Sequence, residues 1–202
     1  MPPKVHNIQL TADQLESLAE KCSASMWAKF ESKVAEIVDN KVNLLQSTVQ
    51  DKTDDLEQRS RQNNLRIFGM KESKDENTDT LVLQVAEKIG VVLPVNSICR
   101  SHRVGAKSSE RDRPIIVRFL SYADRRKVFK AKKLLKNSGI SIREDLTKIR
   151  QNILVRASES YPDDPVWSND GVIFIKLGRT YHRVLTEAEL DNLITTHPPA
   201  TK

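Results

Sequence analysis

From Leu15 onward the apolar residues fall three and four apart, at Leu15, Leu18 and Cys22, at Trp27, Phe30, Val34 and Ile37, and again at Val38, Val42, Leu45, Val49 and Leu56. That spacing is the seam of a coiled coil, and passing from Ile37 to Val38 requires one register shift of the stutter type. Thr11-Ala12-Asp13-Gln14 has the form of a capping box, and no Gly or Pro occurs from there to Asn63. The pattern predicts a disordered segment over 1–10 and one helix over 11–63, roughly 75 Å long at 1.5 Å per residue. A helix with so narrow an apolar stripe is not stable alone in water, so self-association is expected through Phe30, Val34, Val38, Val42, Leu45, Val49 and Leu56. Beyond Val49 the seam runs through Lys52, Leu56, Arg59 and Asn63, and this polar end is expected to fray or bind ions. The competing arrangement is an antiparallel helical hairpin folded on the rest of the chain.

At Asn63-Asn64 the period changes. Asn tolerates the left-handed conformation that closes a helix, and Leu65-Arg66-Ile67-Phe68-Gly69 alternates as a strand does. Thr78 or Asp79 then caps a helix that buries Leu81, Val82, Val85, Ala86 and Ile89 and closes at Gly90. A strand is predicted around 98–104 and the strongest one at 114–119. Ser121 to Asp124 caps a helix with Val128, Ala131, Leu134 and Leu135 inward and the six Lys or Arg of 125–133 outward, and a strand follows at 140–142. The order is βαββαβ over 64–142, which connection rules fold into a four-stranded antiparallel sheet with both helices on one face, the ferredoxin-like layout of an RNA-recognition motif. A small α+β module is predicted over 143–196. Glu144 and Asp145 stand at the start of its first helix, Leu146, Ile149, Ile153 and Ala157 line that helix inside, and Asp170-Gly171 turns a hairpin. Trp167 and Tyr181 are assigned to its core, a helix starts at Thr186 capped through Glu189, and 197–202 is a tail. The fold class is α+β.

Charge sharpens this outline. Residues 64–140 carry 17 basic and 8 acidic side chains, against 8 and 10 in 1–63 and 8 and 9 in 141–202. A basic excess confined to the middle third points to a polyanionic partner. Cys22 and Cys99 have no paired spacing, and the four histidines show no ligand pattern, so neither a disulfide framework nor a metal site is expected. No apolar run approaches the roughly 18 residues of a membrane span, and the chain reads as a soluble, intracellular protein, in a cytoplasmic ribonucleoprotein or the nucleus. Phosphate loops, dinucleotide fingerprints, nucleophile elbows and HExxH are all missing, so neither an enzyme nor a cofactor is expected.

An RNA-recognition sheet stacks bases on aromatics of its first and third strands. Period-2 alternation leaves Arg66 and Phe68 on the open face of the first strand, and Pro114, Ile116 and Arg118 on that of the third. Most of the usual aromatics are therefore missing, and arginine planes take their place in stacking and phosphate binding. Arg100 and Arg113 from the same basic region, and Arg143 just beyond it, are added as candidate contacts. The bland reading is that these arginines only solubilise an exposed sheet, and that the basic helix 125–136 is a solvated face.

In this order, LEQRSRQNNLRIFGM, HRVG, RPIIVRF and IREDLTKIRQNIL resemble the first-frame nucleic-acid-binding protein of LINE-type retrotransposons. The final stretch is similar to the C-terminal domain of baculovirus few-polyhedra proteins. The likeness covers roughly residues 40–195 and implies a parallel trimeric coiled coil, a divergent RNA-recognition motif and a small C-terminal domain. It further implies binding of single-stranded RNA or DNA with little sequence preference, and nucleic-acid chaperone activity. By matching motif it makes Arg103 in HRVG, Arg118 in RPIIVRF and Arg150 in DLTKIRQ contact residues, with Arg150 expected at the edge of a buried helix face. The chain departs from many relatives in having no cysteine-rich finger or zinc knuckle. The alternative, from a different functional class, is a coiled-coil adaptor whose head binds protein.

Overall fold

The computed structural model describes residues 11–94, 96–107 and 111–199. The expected disordered segment 1–10 and the last residues of the tail lie outside them. A single unbroken helix, α1 (Ala12–Ser60), occupies the region predicted as the assembly segment, which excludes the hairpin arrangement. The capping box forms: the Thr11 amide donates to Gln14 Oε1 and the Gln14 amide to Thr11 Oγ1. The chain divides into two compact units, 1–50 and 51–202. In the first unit the seam residues Phe30, Val34, Val38, Val42, Leu45 and Val49 are all exposed.

The second unit is mixed α+β, with antiparallel sheets. Its first sheet joins β1 (Asn64–Phe68), β2 (Ile98–Arg103), β3 (Ile115–Phe119) and β4 (Ser141–Glu144) in the order β2-β3-β1-β4. Every pairing in it is antiparallel. Two helices, α2 (Thr78–Lys88) and α3 (Tyr122–Ala131), bury one face of this sheet. The core there is built from Leu65, Ile67, Ile115, Val117 and Phe119 against Val82, Val85, Ala86, Val128 and Phe129. The alternation expected of β1 and β3 holds residue by residue, because each strand has one face on the helices and one in water.

Four local expectations are corrected. Helix α1 ends at Ser60 with short bonds, Gln62 N–H to Arg59 O and Asn64 N–H to Arg61 O, and neither Asn63 nor Asn64 has a positive φ. Asn77, one residue ahead of the predicted Thr78, caps α2 by accepting from the Thr80 amide. Helix α3 stops at Ala131 and passes into a 3-10 turn, Lys132–Leu135, which swings Leu134 outward to 71% exposure while Leu135 stays buried. Strand β4 runs two residues past the predicted boundary, so Glu144 closes the sheet instead of opening a helix, and Thr147 is the cap of α4 (Lys148–Ser160).

The last part of the chain adds α4, a three-stranded sheet of β5 (Val166–Asn169), β6 (Val172–Leu177) and β7 (Thr180–Val184), and α5 (Glu187–Thr196). Ile153, Ala157, Ile173, Ile175, Val184 and Leu190 form a second core. Asp170 and Gly171 both have positive φ, as a two-residue hairpin turn between twisted strands requires. Trp167 and Tyr181 are not in this core. Register places Trp167 opposite Phe174 on the solvent side of the sheet, and Tyr181 is 60% exposed.

The polar end of α1 does not fray, because it is a docking face. Gln58 donates to the Asp145 carbonyl and accepts from the Thr147 amide, so both ends of its amide are spent on the link between β4 and α4. Arg61 reaches Asp145 and the Leu146 carbonyl. Arg125, expected outward, is 2% exposed and bridges Glu144 at 2.5 Å and Asp170 at 3.1 Å, which ties α3 to β4 and the β5–β6 turn. Burying these ions is tolerable because each carboxylate meets a guanidinium or backbone amides at hydrogen-bond distance.

Candidate nucleic-acid interface

The open face of the four-stranded sheet carries Asn64, Arg66 and Phe68 from β1, Ile116 and Arg118 from β3, Arg100 and His102 from β2, and Ser141 and Arg143 from β4. Two cross-strand pairs join like charges: Arg66 lies opposite Arg143, and Arg118 opposite Arg100. No acidic residue stands on this face of the strands. Like charges placed directly opposite destabilise a sheet, by up to about 1 kcal/mol each; the Asp145 carboxylate offsets this at Arg66, and the pair of Arg118 and Arg100 is left without a counter-charge on the strands.

The four arginines differ in freedom. Arg100, Arg118 and Arg143 are exposed and have no ion pair among the described residues. Arg143 sits 5.1 Å from the centroid of the Phe68 ring, so the phenyl ring of this face is already paired with a cation. Arg66 is held through Nε by Asp145 at 2.7 Å and is part exposed. Beside β1 and β4 a groove of about 470 Å³ is lined by Arg61, Arg66, Phe68, Arg143, Lys148 and Gln151.

The remaining predicted contacts are committed elsewhere. The Arg103 side chain is 5% exposed, on the helix side of β2. It forks onto both oxygens of Glu76 at 2.7 and 2.9 Å and donates to the carbonyls of Met70, Lys71 and Arg113. Its hydrogen bonds hold the Glu76 carboxyl below the usual carboxylate range, against the opposing effect of burial. Arg113 forks onto Glu72 at 2.7 and 3.1 Å, and this pairing lowers the Glu72 carboxyl and raises the arginine. Both arginines pin the loop after β1.

Arg150 corrects the expectation most sharply. Its side chain is 5% exposed, with Nε on Asp54 at 2.7 Å, one terminal nitrogen on the Gly171 carbonyl at 3.0 Å and the other on Asp55. Leu146, Ile153 and Ala157 do turn inward, but the edge position left for Arg150 is covered by the end of α1. It therefore braces α1, α4 and the β5–β6 turn against one another.

Sequence reasoning overlooked Arg61 and Lys148 in the groove. The signal available was that each is a cation within five residues of a face residue and of opposite sign to Asp145. Among the described residues no cluster of His, Cys, Asp or Glu has a metal-binding arrangement, and no helix is long and apolar enough to cross a membrane. No family profile matches the chain, and no curated protein matches it.

Proposed function

We propose that the protein binds single-stranded RNA or DNA through the open face of the four-stranded sheet and self-associates through α1. The observation that carries this reading is the double set of opposed arginines, Arg66 with Arg143 and Arg118 with Arg100, on strands that place no acid on that face; of the four, only Arg66 meets a carboxylate among the described residues, that of Asp145. Such repulsion is relieved when a polyanion lies across it, and the released counterions then drive binding. A face with one phenyl ring, Phe68, one imidazole, His102, and several cations favours phosphate over base identity, so little sequence preference is expected.

The strand order and the two helices on one side of the sheet support an RNA-recognition-type domain, and with the exposed seam of α1 they agree with a LINE-type first-frame protein as the template. On that template the oligomer is a parallel trimer with nucleic-acid chaperone activity.

The test is the salt dependence of binding to a single strand. Each phosphate contact contributes about 0.7 to the slope of log affinity against log salt on single strands. Arg118→Ala and Arg143→Ala should each flatten the slope by about that amount and weaken all sequences alike. Their melting temperatures should stay at or above wild type, because a like-charge pair is removed. A wild-type protein whose partner binding hardly responds to salt would overturn the proposal and favour an apolar protein interface.

A further inference from the structure

The three-stranded sheet has one face more than its core requires. Ile173, Ile175 and Val184 are fully buried beneath α4 and α5, which satisfies the hydrophobic side. The opposite face nevertheless carries three of the ten aromatic residues of the chain. Trp167 stacks on Phe174 with centroids 5.7 Å apart and planes 13° from parallel, and Tyr181 meets the Trp167 ring edge-on at 6.1 Å. Lys176 Nζ lies 5.6 Å from the Tyr181 centroid, and Arg183 is opposite Phe174. Strands β5 to β7 contain no acidic residue. Lys176 and Arg183 have no ion pair among the described residues.

From this placement we infer a base-stacking platform for single-stranded nucleic acid, formed by Trp167, Phe174 and Tyr181 and flanked by Lys176 and Arg183. Tyr181 is exposed and Trp167 and Phe174 are half-buried on the solvent side of the sheet; rings so placed offer π-surface on which every base can stack, and adjacent cations take the phosphates of the same strand. Charge selects the occupant: rings bordered by two cations, on strands that carry no acid, complement a polyanion carrying planar groups. The inference rests on the proposed function and deepens it, because the arginine sheet would grip phosphates whereas this face would read the presence of bases.

The experiment compares the full chain with Tyr181→Ala and Trp167→Phe variants. The probes are an oligo(dT) of about 20 nucleotides and an abasic deoxyribose-phosphate strand of the same length. Stacking removed by alanine costs about 1–3 kcal/mol per base, so Tyr181→Ala should weaken oligo(dT) binding roughly tenfold. Its salt slope and its affinity for the abasic strand should stay at wild-type values. Oligo(dT) should quench the tryptophan emission of the wild type, and most of that quenching should vanish in Trp167→Phe, with circular dichroism showing both variants folded. Wild-type oligo(dT) affinity in Tyr181→Ala, with quenching unchanged in Trp167→Phe, would overturn the platform while leaving the arginine sheet standing. Quenching by a proline-rich peptide with none by oligo(dT) would likewise overturn it in favour of a protein partner. Persistent Trp167 quenching by oligo(dT) when Arg118→Ala and Arg143→Ala bind normally would support the platform and count against the sheet. Absence of any strand binding by the wild type would overturn both.

Discussion

Replacing Arg150 with alanine separates a bracing arginine from a binding one. In the folded protein its guanidinium meets Asp54, Asp55 and the Gly171 carbonyl, and Asp54 is itself 5% exposed with Oδ1 lacking any partner. Removing the cation leaves a buried carboxylate uncompensated, which costs about 3–5 kcal/mol. The orphaned carbonyl belongs to the same site, so its cost of about 1–3 kcal/mol does not simply add. Against a typical total of about 5–15 kcal/mol, the loss is a large fraction of stability. At about 2–4 °C per kcal/mol for a unit of this size, the melting temperature should fall by roughly 10 °C. Urea and thermal melts followed by circular dichroism measure this directly. Asp54→Leu combined with Arg150→Met should recover most of the loss, because a buried pair replaced by apolar groups of similar volume leaves no charge behind. A wild-type melt for Arg150→Ala, with single-strand affinity reduced severalfold, would refute the reasoning and return Arg150 to the binding surface.

Three further outcomes follow from the same structure. Val42→Asp with Leu45→Asp should dissociate the proposed oligomer in sedimentation equilibrium without disturbing residues 51–202, since both side chains are exposed in the chain alone. Deleting residues 1–50, a cut that spares Asp54, Asp55 and Gln58, should cost at least tenfold in affinity for strands of several tens of nucleotides and little for short ones, because linked heads raise the effective concentration of one another. Glu76, whose carboxyl is held low by Arg103, contributes stability that is present above the ordinary carboxylate range and lost as pH falls through its lowered value. Thermal melts over that acid window should show a loss in the wild type that Glu76→Gln lacks.

What could be read from the sequence was whatever a local period reports. Leu65 and Ile67 pack inward and Arg66 and Phe68 face out because alternation along one strand names its faces without any knowledge of the partner strands. The same holds for the continuous helix α1 and for the Asp170-Gly171 turn. The misplaced residues are cations whose partners are remote: Arg150 meets Asp54 across 96 positions, and Arg103 meets Glu76 across 27. Spacing alone cannot tell such an arginine from a free one, since both look like a basic residue at the border of an apolar stripe. The polar end of α1 left a trace that fraying does not explain, with Asp54, Gln58 and Arg61 four and three residues apart, on one helical face, where a docking surface puts its hydrogen-bonding groups.

The aromatic face of the second sheet is the case in which local pattern and register disagree. Val166-Trp167 and the run Val172 to Ile175 are apolar throughout, so alternation within each strand assigns no face, and aromatic residues default to the core. The turn decides it. A two-residue hairpin at Asp170-Gly171 pairs Asn169 with Val172, which forces Trp167 opposite Phe174 and Val166 opposite Ile175. Only one of those two pairs can lie under α4 and α5. The second turn, Gly178-Arg179, pairs Phe174 with Arg183 and Ile173 with Val184, so one face acquires a guanidinium and the other a valine. Burying the arginine face would leave a charge without a partner, at a cost of several kcal/mol. The valine face therefore goes inside, and the half-buried Trp167 and Phe174 and the exposed Tyr181 are left on the solvent side beside Arg183 and Lys176.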